Sequence, residues 1–249
     1  LGAQTVARAP ADGHTLLNTI STTLVTTPHL VRNRTVEMKD FAPVSMLGTA
    51  PSLLTVHPSQ PIRTVKDLIA LAKKEPGKLN YASAGVGSGI HLSTEYFRHE
   101  AGIELTHVPY KGSVPALQDL VGGHVSIYFS SMPPAIGLVR DGKVRALAVT
   151  GLRRSPIFPD VPTVAEAALP GFEAVLHYGI VGPAGIPRDA VAKLNAALRT
   201  AVMAEDFKTK LAADGTEPLA STPEEYAADI DKEETKWSAI VKKSGAKAE

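Results

Sequence analysis

The sequence predicts an α/β fold, because short apolar strands alternate along the chain with amphipathic helices. Hydrophobic residues make up 44% of the 249 residues, which is enough to bury a sizeable core. The run from Leu79 to Ser83 shows the alternation: it leads through a glycine-rich loop into a helical pattern that starts near His91. We therefore expect helices packed on a mostly parallel sheet.

Several helix starts carry a threonine followed three residues later by an acid, the pattern of a capping box. The pairs are Thr64 with Asp67, Thr163 with Glu166, and Thr222 with Glu225. Two later helices have apolar faces at helical spacing. These faces consist of Val191, Leu194, Leu198 and Ala201, and of Tyr226, Ile230, Trp237 and Val241.

Two extended apolar segments, Pro43 to Leu54 and Phe172 to Val181, are candidates for crossings between two lobes. Each is longer than a typical strand of about 5–6 residues. In this interpretation residues 46–174 form an inserted lobe, residues 1–45 and 175–249 form a terminal lobe, and the two strands act as a hinge. The alternative is one continuous sheet, and the pattern alone does not separate the two.

Composition and motifs argue against several function classes. The net charge is +1 with acids and bases mixed, unlike the basic footprint of a nucleic-acid binder, and there are no cysteines to bind a metal. Ile90 replaces the third glycine of a dinucleotide-binding loop, and Ile103 replaces the second histidine of a zinc-protease helix. We expect no catalytic residues, no metal, no cofactor and no nucleic-acid partner. No apolar run approaches the ~20 residues of a membrane span.

The strongest binding element in the sequence is the loop from Ser83 to Ser88, which follows a predicted strand and leads into a helix. Its small residues let the backbone approach a ligand, and the amides at the helix start suit an anion. The alternative is a tight strand-to-helix connection without a ligand. His91, one turn into the helix, is either part of the site or a packed or capping histidine.

Other predicted strand ends carry neutral hydroxyl groups, and ligands of open α/β sheets bind at the carboxyl ends of strands. Lys111, in a strand-to-helix turn, is either a cation for the ligand or a solvated side chain. The candidate ligand-binding residues are Ser21, Thr22, Ser83, Ala84, Gly85, Gly87, Ser88, His91, Lys111, Ser130, Thr150 and Tyr178. Since an ammonium group needs acidic acceptors, this set predicts an organic carboxylate without a free amino group.

Six runs of the sequence resemble the receptors of tripartite tricarboxylate transporters, also called Bug or TctC proteins. They are Asp12 to Leu17, Asp40 to Ser45, Leu79 to Gly85, His107 to Ser113, Arg145 to Thr150, and Pro159 to Glu166. The similarity extends over essentially the whole chain in the family's order.

The resemblance implies a type II periplasmic binding protein fold, with two α/β lobes that hold a carboxylate between two loops. One of these loops matches Ser83 to Ser88. The other, a Pro-Gly-Gly-containing loop after the first strand, would precede Leu1, so we expect this chain to be part of a longer mature protein. Ser130 departs from many relatives, which have Phe-Asp-Asn where this chain has Phe-Ser-Ser.

The resemblance also implies a periplasmic, monomeric receptor that performs no catalysis. It would deliver a small organic carboxylate to integral membrane transporter subunits. One alternative with the same fold is a ligand-sensing module for a sensor kinase. The other is a small α/β transferase that uses the Ser83 to Gly89 loop for an anionic substrate.

Overall fold

A computed structural model of the protein describes residues 2–20, 24–26, 29 and 36–244. The chain divides into two compact units. One consists of Leu1–Thr49 with Leu176–Glu249, and the other of Ala50–Val175. Both boundaries coincide with β-strands, since Phe41–Val56 contains the first and Val175–Pro183 the second.

Strands and helices follow the predicted alternation. The strands are β1 (Leu17–Ile20), β2 (Phe41–Val56), β3 (Asn80–Ser83), β4 (Thr106–Pro109), β5 (Ile127–Ser131), β6 (Arg145–Val149), β7 (Val175–Pro183) and β8 (Glu217–Pro218). The helices are α1 (Gly2–Ala7), α2 (Val65–Lys74), α3 (Gly89–Ala101), α4 (Ser113–Val121), α5 (Met132–Arg140), α6 (Val164–Ala167), α7 (Arg188–Val202), α8 (Glu205–Ala213) and α9 (Pro223–Ser244). A 3-10 turn, Met38–Asp40, precedes β2. No helix among these described residues is long and apolar enough to cross a membrane.

The sheet of the Ala50–Val175 unit is mixed, whereas the sequence predicts a mostly parallel one. β3 is parallel to β4 and to β5, but β2 is antiparallel to both β5 and β6. A helix between two strands suggests that the strands are parallel neighbours. The prediction fails here because β2 and β3, which α2 connects, are not neighbours in the sheet. The carboxyl ends of β3, β4 and β5 still meet at one edge, where loops can form a binding site.

Helices cover both faces of this sheet. Leu53 and Leu54 are fully buried and point to opposite faces, because side chains alternate along a strand. Leu53 packs in a cluster with Met132 of α5. On the other face, where Leu54 lies opposite Phe129, the Phe129 ring is 5.4 Å from that of Phe97 in α3. Burying such a side chain stabilises the fold by about 1.5–3 kcal/mol.

In the other unit, β1 pairs antiparallel with β7, β7 is hydrogen-bonded to β2, and β2 pairs antiparallel with β8. The capping box of Thr222 and Glu225 at the start of α9 is present as predicted. The predicted apolar face of α9 is buried, including Trp237 at 1% exposure.

The predicted face of α7 is only partly correct. Ala201 is exposed, and Asn195 is buried instead. The Asn195 side chain donates hydrogen bonds of 2.8 Å from Nδ2 to the carbonyl oxygens of Val44 and Ser221. A buried amide that satisfies two backbone acceptors is compatible with an interior position, which an apolar pattern does not reveal.

Candidate functional site

The loop between β3 and α3 folds into a tight turn that depends on two glycines. Gly85 has φ +128° and Gly87 has φ +79°, a region that side chains with a Cβ atom rarely adopt. The amide of Ser88 donates to the carbonyl of Gly85 at 3.1 Å and closes the turn. This loop, Ser83 to Ser88, is called the anion loop below.

The turn after β4 lies directly beside the anion loop. The amide of Tyr110 donates to the carbonyl of Ser83 at 3.0 Å, and the amide of Gly112 donates to that of Ala84 at 3.2 Å. Lys111, between these two donors, is exposed, and none of the described residues pairs with its ammonium group. The structure therefore brings the backbone of Lys111 next to the predicted loop.

Hydrogen bonds within the loop decide which of its amides remain available. The amide of Gly85 donates to Ser83 Oγ, and the amide of Gly87 donates to His91 Nδ1, both at 3.2 Å. Ser88 caps α3 by accepting from the amide of His91 at 3.2 Å. By contrast, three amides have no acceptor among the described residues. They are the amide of Val86 in the loop and those of Gly89 and Ile90 in the first turn of α3.

A stack of three aromatic rings contacts the anion loop through hydrogen bonds of its two histidines. The ring centroid of His107 lies 4.2 Å from that of His91 and 4.8 Å from that of Tyr81. His107 Nε2 also forms a 2.6 Å hydrogen bond with Ser83 Oγ. Burial, aided by the charge that His107 would carry, lowers the pKa of His91 to about 4, and burial lowers the pKa of His107 as well. Both imidazoles are therefore neutral at neutral pH.

A buried carboxylate forms a hydrogen bond with the tyrosine of this stack. Glu95 in α3 is 5% exposed and accepts hydrogen bonds from Tyr81 Oη at 2.6 Å and from Arg98 Nη2 at 2.7 Å. Burial and the negative charge of Glu95 raise the pKa of Tyr81, so the phenol remains a proton donor. The sequence analysis missed His107, Tyr81 and Glu95. The one available signal for His107 is its place on the strand beside β3, opposite Tyr81.

Two other predicted site residues are engaged in the framework of the same unit. Ser130 is buried, and its hydroxyl donates to the carbonyl of Ser131 at 2.8 Å. Thr150 is also buried, and its Oγ1 accepts from the amide of Ser52 at 2.7 Å. Neither of these two hydrogen bonds involves a residue of the anion loop.

The remaining predicted residues lie elsewhere. Tyr178 belongs to β7, opposite Ile20 in the ladder of the other unit, and burial raises the pKa of its phenol. Ser21 and Thr22 lie outside the described residues. Within the part of the chain that the structure describes, no group of three or more histidine or acidic side chains is arranged to hold a metal ion.

Comparison with known proteins identifies the family. The sequence profile of the tripartite tricarboxylate transporter family receptors (TctC) matches residues 1–246. This chain belongs to that family. The resemblance predicted from the sequence motifs is confirmed.

Relatives were found both by sequence and among solved structures. The protein BugT of Bordetella pertussis is 34% identical, over 99% of this chain and 76% of its own. The R. palustris protein Rpa4515, solved with adipate, is 35% identical and superposes with a TM-score of 0.89, over 98% of this chain and 82% of its own. MatC (Rpa3494) of Rhodopseudomonas palustris, solved with bound malate, is 32% identical with a TM-score of 0.85, over 96% of this chain and 83% of its own.

These comparisons confirm the predicted α/β periplasmic binding protein fold. TctC proteins are solute-binding receptors and not enzymes, so the receptor interpretation is confirmed and the transferase alternative is wrong.

Proposed function

We propose that this TctC protein binds a small organic carboxylate with the anion loop and the start of α3, and delivers it to the membrane subunits of a tripartite tricarboxylate-type transporter. The observation that carries the proposal is that the amides of Val86 in the loop and of Gly89 and Ile90 at the helix N-terminus have no acceptor among the described residues. A carboxylate placed there would accept hydrogen bonds and would also be stabilised by the helix dipole.

The other groups of the loop support an anion. The hydroxyl of Ser88 keeps its hydrogen for a ligand, because its oxygen acts as an acceptor in the helix cap. Lys111, on the adjoining turn, adds a positive charge that no acid among the described residues neutralises. Each hydrogen bond to a charged group contributes about 1.5–3 kcal/mol, so a few of them are enough for tight binding.

We propose further that the ligand lacks a free amino group. The residues we assign to the site in this unit are neutral or positive: Ser83, Ala84, Gly85, Gly87, Ser88, His91 and Lys111, together with Ser130 and Thr150 as their framework. In the other unit we assign Ser21, Thr22 and Tyr178. An ammonium group would lose its hydration here without gaining a carboxylate partner, which is costly. Adipate and malate, found with the two relatives, fit this chemistry.

For the cellular role we propose a periplasmic monomer that works without a cofactor. A family of transporter receptors supports delivery to membrane subunits over signalling to a sensor kinase. Isolation of the protein's membrane partner by cross-linking in cells, followed by mass spectrometry, separates these two roles.

Titration calorimetry of the purified protein tests the binding proposal. Adipate, malate and citrate are compared with aspartate and glutamate. We expect binding of at least one of the first three and weaker binding of the amino acids. Ser88→Ala should weaken binding by roughly tenfold to a hundredfold, the equivalent of one hydrogen bond to a charged group.

Lys111→Gln should also weaken binding, and Lys143→Gln, which removes an exposed lysine of the same unit, is the matched control. Equal affinity in the wild-type protein and in Ser88→Ala and Lys111→Gln would contradict the assignment. Preferential binding of aspartate or glutamate would contradict the proposed ligand class.

A further inference from the structure

We propose that His91 is a positioning residue which, as a neutral hydrogen-bond acceptor, holds the anion loop in its binding conformation without placing a negative charge beside the ligand. This inference rests on the proposed function. It concerns a residue whose role the sequence leaves open between a ligand contact and a packed or capping histidine.

His91 occupies the third position of α3 and forms a reciprocal pair of contacts with the loop before it. Its own amide donates to Ser88 Oγ, and its Nδ1 accepts from the amide of Gly87, both at 3.2 Å. This arrangement resembles a capping box, in which a glutamate or glutamine at the third helical position reaches back to a preceding amide. In this protein an imidazole takes the place of that side chain.

The choice of side chain matters because of charge. A glutamate at this position would satisfy the amide of Gly87 but would bring a carboxylate to the same helix start that offers its amides to an anionic ligand. Like charges within a few ångströms disfavour one another strongly in a partly buried site. A neutral imidazole satisfies the amide and leaves the positive end of the helix dipole unopposed.

The surroundings of His91 keep its ring neutral and fix its tautomer. Because Nδ1 accepts from Gly87, the ring hydrogen must be on Nε2. One face of the ring stacks on the neutral imidazole of His107, and the charged groups whose fields act on it are Glu95 and Arg98 of its own helix. His91 is 4% exposed, so protonation would cost both its hydration and its acceptor role.

His107 extends the same arrangement to the start of the loop. Its Nε2 is bonded to Ser83 Oγ, which in turn accepts from the amide of Gly85. The amides of Gly85 and Gly87 are therefore both hydrogen-bonded within the protein. His91 accepts from Gly87 directly, and His107 fixes the Ser83 hydroxyl that accepts from Gly85. The adjacent amides of Val86, Gly89 and Ile90, which have no acceptor among the described residues, remain for the ligand.

Four variants separate an acceptor role from simple packing. His91→Gln keeps a neutral acceptor, His91→Glu keeps an acceptor but adds charge, and His91→Leu removes the acceptor. His99→Gln changes an exposed histidine of the same helix and is the control. Calorimetry with adipate and malate gives the affinity, and NMR hydrogen exchange of the Gly87 amide reports the loop contact directly.

We expect His91→Gln and His99→Gln to bind within a few-fold of the wild-type protein. His91→Leu should bind roughly tenfold more weakly, the equivalent of one lost loop contact, and its Gly87 amide should exchange faster. His91→Glu should protect the Gly87 amide and yet bind more weakly than His91→Gln. A merely structural role would not separate protection from affinity in this way.

Equal affinity of the Glu and Gln variants, or an unchanged Gly87 exchange rate in His91→Leu, would overturn the proposal. If His91→Leu fails to fold, the comparison of Glu with Gln still decides. If the wild-type protein binds neither adipate nor malate, the proposed ligand is wrong, and Gly87 exchange in the same variants still tests the contact.

Discussion

The hydroxyl of Thr150 both accepts a hydrogen bond from the amide of Ser52, at 2.7 Å, and donates one to the carbonyl of the same residue, at 3.3 Å. The amide of Thr150 adds a 3.0 Å bond to that carbonyl. One threonine therefore fastens the residue after β6 to β2. This geometry gives Thr150 a structural part in the sheet of the Ala50–Val175 unit.

Replacing Thr150 by the nearly isosteric valine should lower the free energy of unfolding by about 1–3 kcal/mol, because the buried amide of Ser52 loses its acceptor. Urea denaturation followed by circular dichroism measures the change. Thr200→Val is the control, because Thr200 is exposed and its hydroxyl donates to the carbonyl of Ala196 within α7. An unchanged unfolding midpoint for Thr150→Val would show that these bonds contribute nothing.

The ion pair of His177 and Asp229, 2.7 Å apart between β7 and α9, should make stability depend on pH. Burial opposes the charge on His177, but the hydrogen bond and charge of Asp229, with the charge of Glu233, outweigh it and raise its pKa above the ordinary 6.5. A histidine whose pKa is raised by folding stabilises the protein fully below pH 6.5, and this stabilisation is lost as the pH rises through the folded-state value.

Asp229→Asn should therefore destabilise the protein most at about pH 5.5 and progressively less towards pH 9. Thermal unfolding of the wild-type and variant proteins across this range measures the difference. Asp231→Asn, on the exposed face of the same helix, should show no such trend. A difference that grows with pH would have the wrong sign for this account.

Asn195→Asp should destabilise the protein strongly, since it would turn a carboxylate towards the carbonyl oxygens of Val44 and Ser221. An uncompensated buried charge costs about 3–5 kcal/mol. Asn18→Asp makes the same change at an exposed position of β1 and should be nearly neutral. Chemical denaturation at pH 8 compares the two, and equal effects would exclude a special role for the Asn195 amide.

Gly87→Ala should both strain the anion loop and weaken adipate binding. A Cβ atom in the left-handed region costs about 1–2 kcal/mol, and relaxation of φ would move the adjacent amides. Gly137→Ala is the matched control, because Gly137 is exposed in α5, with open space around it, and alanine favours the helix. Unchanged affinity in Gly87→Ala would argue that the loop tolerates other conformations while it binds.

The sequence was most informative where the deciding contacts are local. The capping boxes of Thr64 with Asp67 and Thr163 with Glu166 are present as predicted, because each needs residues only three positions apart. The glycines of the anion loop could be recognised for the same reason. Their positive φ angles explain why glycine is present at those positions.

Contacts between distant residues were beyond this approach. The stack of Tyr81, His91 and His107 forms only after β3 and β4 pair. The direction of β2 likewise depends on strands more than 70 positions later in the chain, as the hydrogen bond from Thr55 to Tyr128 shows. Asn195 was missed because a buried polar residue interrupts an apolar pattern. Its acceptor at Val44 is 151 positions away.

That long separation has a consequence for synthesis on the ribosome. Ala50–Val175 is one continuous stretch, so it can complete its own core as soon as it has left the exit tunnel. The unit that contains β1 must wait for β7, α7 and α9, which are translated later. During that interval the first segment has apolar residues such as Phe41, Val44 and Met46 without their final neighbours. Nascent-chain experiments should therefore find that the middle of this protein resists protease before its beginning does.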